Sequence, residues 1–134
     1  MRAIVCGANG AIGKLLCAAL GESLAGKVSL DGQDGVARNF EELGETNADT
    51  VIDFSHHTAV KGVLDYALIH KMAVVIGTTG HTEAEKALIY AAAKEIPVFF
   101  SGNMSLGIAV LCRLAAQAAA AFPEADIEIL EIHH

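Results

Sequence analysis

Apolar residues follow two alternating patterns along this chain. Short runs rich in β-branched residues predict six strands, at residues 3–6, 27–30, 50–54, 73–77, 98–101 and 127–132. Longer segments between them repeat their apolar residues at helical spacing and predict helices at residues 13–24, 58–70, 82–96 and 105–122. Strands that alternate with helices are typical of an α/β domain built on a parallel sheet. We therefore predict a doubly wound parallel sheet with helices on both faces.

Three of the predicted helices carry further local signals. The segment 58–70 places its apolar residues on one stripe, formed by Val60, Val63, Leu64, Ala67 and Leu68. The next helix opens with a capping box, because Thr82 is followed three residues later by Glu85, and Pro97 ends its pattern. The last helix is apolar around most of its circumference. This predicts burial on more than one side, or self-association where a face stays exposed.

Residues 31–49 break the alternation. Their Gly and Asn content favours a long irregular connection with one helical turn over a full helix and strand. In a doubly wound sheet such a connection carries the chain past the first strand to its other side. That crossing creates the switch point at which such sheets bind ligands.

Composition narrows the class of protein. A chain of 134 residues has the usual size of one domain, and 53% apolar against 5% aromatic residues predicts an aliphatic core. The net charge of −7, with scattered Lys and Arg, argues against nucleic-acid binding. The N-terminal apolar run is too short for a signal peptide, and Arg113 and Gln117 interrupt the longest apolar stretch. We therefore expect a cytoplasmic protein without a membrane span.

The cysteines and the internal histidines predict no metal centre. Cys6, Cys17 and Cys112 are widely spaced within apolar runs, which indicates small buried side chains in a reducing compartment. The histidines fall in separate elements and lack the spacing of a helical zinc motif: His56, His57, His70 and His81. We expect them to be solvated or loop residues, with His56 and His57 at the edge of a ligand cleft.

Three glycines separate the first predicted strand from the first predicted helix. In this loop Gly7 permits a tight turn, Gly10 lets the backbone approach a pyrophosphate, and Gly13 allows the helix to pack closely on the strand. The free N–H groups at the start of the helix then face the anion. The spacing GxxGxxG is a variant of the fingerprint of Rossmann-type dinucleotide-binding domains. The alternative is a tight turn before a helix end that binds nothing.

Asp31 follows the second predicted strand, 18 residues after Gly13. An acid near this position holds the ribose hydroxyls of the adenosine in dinucleotide-binding domains. Because no arginine adjoins Asp31 to receive a 2′-phosphate, the sequence favours NAD over NADP. The alternative is a solvated aspartate in a turn.

Further polar loops follow the remaining strands, and these stretches carry a family resemblance. The segments "CGANGAIGK", "VIDFSHHTA", "VVIGTTG", "FFSGNMSLGI" and "DIEILEIHH" resemble the dihydrodipicolinate reductases over nearly the whole chain. The resemblance implies an oxidoreductase of lysine and diaminopimelate biosynthesis, which reduces a cyclic dihydrodipicolinate precursor with NADH or NADPH. It also implies a homo-oligomer in the complete enzyme.

The resemblance assigns roles to individual residues. The pyrophosphate would lie on Gly7, Ala8, Asn9, Gly10, Ala11 and Ile12, and the adenosine ribose on Asp31. The rest of the cofactor would contact Phe54, Ser55, Gly77, Thr78, Thr79, Ser101, Gly102, Asn103 and Met104. His133 would donate the proton that must accompany hydride delivery, a task that suits imidazole. His134 would contact the cyclic dicarboxylate substrate.

The chain departs from the family pattern in two places. It has His56 and His57 where the family usually places a proline after DFS. It also lacks the family's basic segment with a catalytic lysine, its substrate loop and its tetramer-forming domain. We therefore expect the cofactor-binding half of the enzyme, ending at the junction to a missing substrate domain and inactive alone.

Three alternatives remain open from the sequence. The chain can be a non-catalytic nucleotide-binding sensor or regulatory module. The terminal histidines can be a tag remnant or a frayed end. Tyr90 and Lys94 match the Y-x-x-x-K pair of short-chain dehydrogenases, but their Ala-rich helical setting favours chance spacing.

Overall fold

Five parallel strands form the framework of the first of two units into which the chain divides. The computed structural model describes residues 1–130 and 132, with the backbone alone at Asp34. The units are Met1–Gly102 and Asn103–His134. The strands of the first unit are β1 (Ala3–Cys6), β2 (Leu24–Val28), β3 (Thr50–Asp53), β4 (Ala73–Ile76) and β5 (Val98–Phe100). They lie in the order β2-β1-β3-β4-β5, and every pair is parallel.

Helices cover both faces of this sheet, as predicted. The helices of the first unit are α1 (Ala11–Leu20), α2 (Phe40–Leu43), α3 (Val60–His70) and α4 (Glu83–Ala92). Successive β1 side chains point to opposite faces, so Ile4 packs with the α3 and α4 side and Val5 with Leu16 and Leu20 of α1. The predicted α3 stripe is confirmed, because four of its residues are buried and Leu68 is half-buried.

The connection from β2 to β3 is irregular, as predicted. It contains a 3₁₀ turn at Gln33–Gly35 and the single helical turn α2. It carries the chain from β2 on one side of β1 to β3 on the other. The switch point therefore lies between the carboxyl ends of β1 and β3, where Gly7 and Phe54 follow the two strands.

The predicted bounds of two elements at the start of the chain are wrong. The first helix ends at Leu20 rather than at residue 24, because the chain turns at Gly21 with φ +50° and passes through a 3₁₀ turn at Gly21–Ser23. The second strand then occupies Leu24–Val28 instead of 27–30. Its register is set by pairing with β1, in which Cys6 lies opposite Val28. Asp31 consequently lies three residues beyond the strand.

The second unit contains one helix in its described part, α5 (Leu106–Ala121). Ser105 caps it by accepting a hydrogen bond from the Ile108 N–H at 3.3 Å. The prediction of burial on several sides is wrong, since α5 buries none of its residues and Cys112 is exposed. The predicted sixth strand is also wrong for residues 127–130 and 132, which are not in a strand. An extended segment is a strand only when its backbone pairs with another strand. The described residues of this unit contain no strand.

Self-association through the exposed apolar side of α5 stays a prediction. Among the described residues, no helix combines the length and the apolar character needed to cross a membrane.

Candidate functional site

The glycine loop after β1 is closely packed against the loop after β3. Gly7 has φ +78°, and a Cβ at this position would overlap the carbonyl oxygen of Phe54. A Cβ at Gly13 would overlap the carbonyl oxygen of Gly7. The Phe54 N–H donates to the Cys6 carbonyl at 3.0 Å, which extends the β1–β3 pairing into these loops. The first and third glycines are therefore required by close backbone approach.

The start of α1 offers unpaired amide groups next to this loop. Gly10 caps the helix without a side-chain hydrogen bond. In the part of the chain that the structure describes, the N–H groups of Ala11 and Ile12 have no acceptor, as expected for a first helical turn. The N–H groups of Gly7 and Ala8 instead donate to the Val28 carbonyl at 2.9 and 3.1 Å. An anion at this loop would therefore meet the amides of the helix itself, where the helix dipole is positive.

Asp31 is joined to the glycine loop by a hydrogen bond. The Asn9 side-chain amide donates to an Asp31 carboxylate oxygen at 2.5 Å. This bond, with smaller support from the Ser29 side chain, holds the pKa of Asp31 below its usual value. Asp31 is exposed, as a turn aspartate would be, but it is oriented towards the loop. The structure thus brings together two of the predicted parts of a dinucleotide site.

A cavity of about 480 Å³ opens at the switch point. Its wall includes residues of three loops, among them Gly7, Gly10, Ser29, Leu30, Phe54 and Ser55. His56 and Thr58 also border it, as predicted for His56, whereas His57, which was predicted at the same cleft, is not part of its wall. Such a crevice beyond the carboxyl ends of the strands is where open α/β sheets bind ligands.

A buried carboxylate connects the loops after β3 and β4. Asp53 has no exposed surface and accepts hydrogen bonds from the hydroxyls of Ser55, at 2.5 Å, and Thr78, at 2.8 Å. The Thr78 hydroxyl in turn accepts from the Ser55 N–H at 2.9 Å. Burial raises the pKa of Asp53, and the two hydroxyl bonds oppose that rise. Sequence reasoning named Phe54 and Ser55 but missed Asp53, whose burial depends on both loops.

The predicted GTT residues lie beside this carboxylate. A Cβ at Gly77 would overlap the Phe54 ring, so the ring packs directly on the β4 loop. Thr78 is buried, whereas Thr79 is exposed. The loop after β5 meets the same region, since a Cβ at Gly102 would lie 3.3 Å from the Thr79 methyl group. The Ser101 N–H donates to the Ile76 carbonyl at 3.1 Å.

The remaining predicted residues belong to the second unit. There the Asn103 side chain accepts from the Ser105 N–H at 2.8 Å, and Met104 is exposed. His133 and His134 lie outside the described residues.

A histidine–glutamate pair links the β3 loop to α4. His57 Nδ1 lies 3.0 Å from a Glu85 carboxylate oxygen. Glu85 also completes the predicted capping box, because it accepts from the Thr82 N–H at 2.7 Å. These bonds lower the pKa of Glu85 from 4.5 to about 2, and the bond from the Thr82 backbone contributes most.

We expect Glu85→Gln to make the free energy of unfolding less dependent on pH in the acid range. A carboxylate with a lowered folded pKa adds stability above its unfolded value of 4.5, and loses it as the pH falls towards about 2. Urea unfolding between pH 2 and 7 would therefore show the variant less stable at pH 7 and less dependent on pH below 4.5. Glu83→Gln is the control, since Glu83 is exposed and its one ion pair among the described residues is with Lys86. Equal profiles for the two variants would contradict this role of Glu85.

His81 is buried without a hydrogen-bond partner for either ring nitrogen among the described residues. Its ring stands edge-on to Phe100, with ring centroids 5.4 Å apart. Burial of an unpaired polar group costs about 1–3 kcal/mol. We expect His81→Phe to raise the free energy of unfolding by about 1–2 kcal/mol, because the new ring keeps the packing and removes the polar atoms.

Thermal and urea unfolding measure this effect. His70→Phe is the control, because His70 is exposed and the change should stay within about 0.5 kcal/mol. A His81→Phe protein less stable than the parent would show that the imidazole makes a favourable interaction.

Other chemical candidates find no support in the described part of the chain. No group of three or more potential metal ligands lies together there. Tyr90 is 61% exposed on the outer side of α4 and lies outside the cavity wall.

The doubly wound sheet, the glycine loop and the switch-point cavity define a Rossmann-type α/β domain. The family described as "Dihydrodipicolinate reductase, N-terminus" matches residues 1–104. The chain belongs to the dihydrodipicolinate reductase family, and the predicted resemblance is confirmed.

Curated relatives named 4-hydroxy-tetrahydrodipicolinate reductase support this assignment. The protein of Caldanaerobacter subterraneus is 40% identical over 144 aligned positions, which cover 100% of this chain and 56% of the relative. That of Zymomonas mobilis is 41% identical and covers 96% and 52%. That of Campylobacter jejuni is 40% identical and covers 96% and 52%. The chain thus spans about half the length of the curated relatives it matches.

Proposed function

We propose that this chain is the NAD(P)H-binding half of a 4-hydroxy-tetrahydrodipicolinate reductase. The complete enzyme would reduce a dihydrodipicolinate precursor, a cyclic dicarboxylate, to tetrahydrodipicolinate in lysine and diaminopimelate biosynthesis. The observation that carries the proposal is a cavity lined by Gly7 and by Gly10, the N-cap of α1, with Asp31 held next to this loop by the hydrogen bond from Asn9. The names of the relatives supply the substrate class.

The residues present fit a dinucleotide. Gly10 lines the cavity, and a Cβ there would meet the Gly7 carbonyl oxygen at 3.2 Å, so a glycine at this position keeps the backbone of the loop open to a pyrophosphate. Ala11 and Ile12 would donate their N–H groups to the pyrophosphate. Asp31, kept ionised by Asn9, would accept from the adenosine ribose hydroxyls. When bound, the cofactor supplies a hydride.

The loops after β3, β4 and β5 would bind the nicotinamide half. Hydrogen bonds to Asp53 hold Ser55 and Thr78 in place relative to each other. The Phe54 ring packs on Gly77 and would form one wall of the nicotinamide site. Thr79, Ser101 and Gly102 would complete that side, and we assign Asn103 and Met104 to the cofactor on the family resemblance. We assign His133 as proton donor and His134 as substrate contact, on the family resemblance. We further propose that the complete enzyme is a homo-oligomer and that this chain alone has no turnover.

Titration with NADH and NADPH, monitored by calorimetry and cofactor fluorescence, tests the binding role. We expect a saturable site on the chain and a loss of affinity of about tenfold or more for Asp31→Ala with NADH, since the variant loses charge-assisted hydrogen bonds to the ribose. Asp65→Ala is the matched control, because Asp65 is an exposed aspartate of α3 paired with Lys61. Failure of both dinucleotides to bind would overturn the proposal.

An assay of the reductase reaction tests the catalytic role. The short chain should give no turnover, and the same domain joined to the C-terminal half of a curated relative should restore it. Binding without turnover in the joined protein would favour the nucleotide-binding sensor or regulatory module.

A further inference from the structure

His57 joins the loop after β3 to the start of α4. Its ring nitrogen Nδ1 lies 3.0 Å from each carboxylate oxygen of Glu85. The two side chains are 28% and 18% exposed, so the contact is partly shielded from water. A hydrogen bond to a carboxylate is stronger than one between neutral groups, and shielding from water strengthens it further. The bond therefore ties together two elements that are 28 positions apart in the sequence.

Glu85 provides a fixed carboxylate for this contact. One of its oxygens accepts from the N–H of Thr82 at 2.7 Å and from the Thr82 hydroxyl at 3.0 Å. These bonds belong to the capping box of α4, so they hold the Glu85 side chain against the first turn of the helix. An ionised carboxylate only accepts hydrogen bonds, so His57 must carry a proton on Nδ1. This requirement fixes the orientation of the ring.

The His57 ring also lies against the loop after β4. A Cβ at Gly80, whose φ is +84°, would lie 3.9 Å from Cδ2 of the ring. Phe54, from the same β3 loop as His57, packs on Gly77 at the other end of this segment. The two rings thus hold the segment 77–80 at both ends, with its two threonines between them.

Two further imidazole rings adjoin His57. The ring centroid of His56, which borders the cavity, lies 4.3 Å from that of His57, and the centroid of the buried His81 lies 6.4 Å away. His57 itself is not part of the cavity wall. Any effect of His57 on a ligand in the cavity must therefore pass through its neighbours.

We propose that His57 is a positioning residue, which clamps the loops after β3 and β4 in the arrangement that receives the nicotinamide half of the cofactor. The inference rests on the proposed function, in which these two loops bind that half. His57 acts through its bond to Glu85 and its contact with Gly80, without touching the cofactor. Without the clamp the two loops would sample more arrangements, and the cofactor would have to order them when it binds.

The test compares the dissociation constants of NADH and of ADP-ribose, which lacks the nicotinamide, for the parent chain, His57→Phe and His57→Asn. We expect His57→Phe, which keeps a ring and loses the donor, to weaken NADH binding by about 3–10-fold and ADP-ribose binding by less than about twofold. His57→Asn should recover most of the NADH affinity, because its side-chain amide can donate to Glu85 from the position of Nδ1. His70→Phe, the same change at an exposed histidine of α3, should leave both constants unchanged.

Two further readouts separate the clamp from a general effect on the fold. Glu85→Gln should weaken NADH binding in the parent chain, because an amide oxygen is a weaker acceptor than a carboxylate, and should have no further effect in His57→Phe. Glu83→Gln, the matched control on the same helical turn, should leave NADH affinity unchanged in both backgrounds. Long-range proton–nitrogen NMR spectra should show a proton on Nδ1 of His57. Thermal unfolding checks that the variants fold.

The outcomes distinguish this inference from the proposed function. Unchanged NADH affinity in His57→Phe, or a similar weakening of NADH and ADP-ribose, would overturn the inference. Failure of His57→Asn to recover affinity, additive effects of the His57 and Glu85 variants, or an unprotonated Nδ1 would show that the bond to Glu85 is not what positions the loops, and would overturn it as well. If neither NADH nor ADP-ribose binds the parent chain, the proposed function itself fails.

Discussion

Replacing Gly7 with alanine should destabilise the fold by about 2–5 kcal/mol and remove dinucleotide binding. An L-residue at its φ of +78° costs about 1–2 kcal/mol, and the overlap of the new Cβ with the Phe54 carbonyl adds about 1–3 kcal/mol of overpacking. Relief of that overlap would separate the loops after β1 and β3, which form the two sides of the switch point. Urea unfolding and NADH titration measure the two effects.

Gly35→Ala is a matched control for this variant. Gly35 has φ +74°, close to that of Gly7, but beyond its two chain neighbours no described atom lies within 4 Å of the position that its Cβ would take. The control should therefore lose only the backbone part, about 1–2 kcal/mol, and should keep its NADH affinity. Equal losses of stability in the two variants would show that the overlap with Phe54 adds nothing to the cost of a side chain at Gly7.

Replacing Asp53 with alanine should destabilise the fold by about 3 kcal/mol and weaken cofactor binding. The change leaves the buried Thr78 hydroxyl and the half-buried Ser55 hydroxyl without their acceptor. Each lost bond to a charged group costs about 1.5–3 kcal/mol, and the removal of a carboxylate that is buried away from water offsets part of this cost. The loops after β3 and β4 then lose the group that joins them. Urea unfolding measures the stability, and NADH titration measures the affinity.

The pH dependence of this loss gives a second measurement. Because burial raises the pKa of Asp53, the folded state holds its proton at pH values where the unfolded chain has released it. The stabilising contribution of Asp53 therefore grows as the pH falls through the raised value, and the cost of Asp53→Ala should be larger near pH 4 than at pH 8. A cost that instead rose with pH would show that the ionised form is the stabilising one.

Asp49→Ala provides the comparison at the opposite end of β3. Asp49 is an exposed aspartate that accepts hydrogen bonds from the Thr50 hydroxyl at 2.7 Å and from the Arg2 N–H at 3.1 Å. Because water can replace these bonds, the variant should lose far less stability than Asp53→Ala and should keep its cofactor affinity. A similar loss at both ends would argue for a general effect on β3 and against a specific link between the loops.

Signals carried by neighbouring residues predicted most of the fold. The Thr82–Glu85 capping box and the α3 stripe were confirmed because helix starts and helix faces depend on residues three and four positions apart. The glycine loop was found for the same reason, since its strand, turn and helix are continuous in the chain. The irregular composition of residues 31–49 predicted that the chain passes from one side of the first strand to the other, and the strand order confirms this crossing.

Elements that depend on distant partners were predicted poorly. The segment that forms β2 contains Gly26 and lies at an edge of the sheet, so its bounds come from pairing with β1 rather than from its own residues. The segment 127–132 has a strand-like pattern, but the described residues of its unit offer no strand to pair with. Alternation indicates that a segment can be a strand, whereas pairing decides whether it is one.

The amino-acid sequence alone determined the family, the parallel α/β class and the place of the anion-binding loop, because each is encoded in contiguous residues. Only the tertiary structure showed that Asp53 is buried between two loops, that His81 lacks a partner among the described residues and that His57 pairs with Glu85. Burial and charge proximity depend on residues brought together across 25 to 28 positions of the chain, as in the Asp53–Thr78 bond and the His57–Glu85 pair. Such distances are set by the packing of the sheet and its loops, which no local pattern contains.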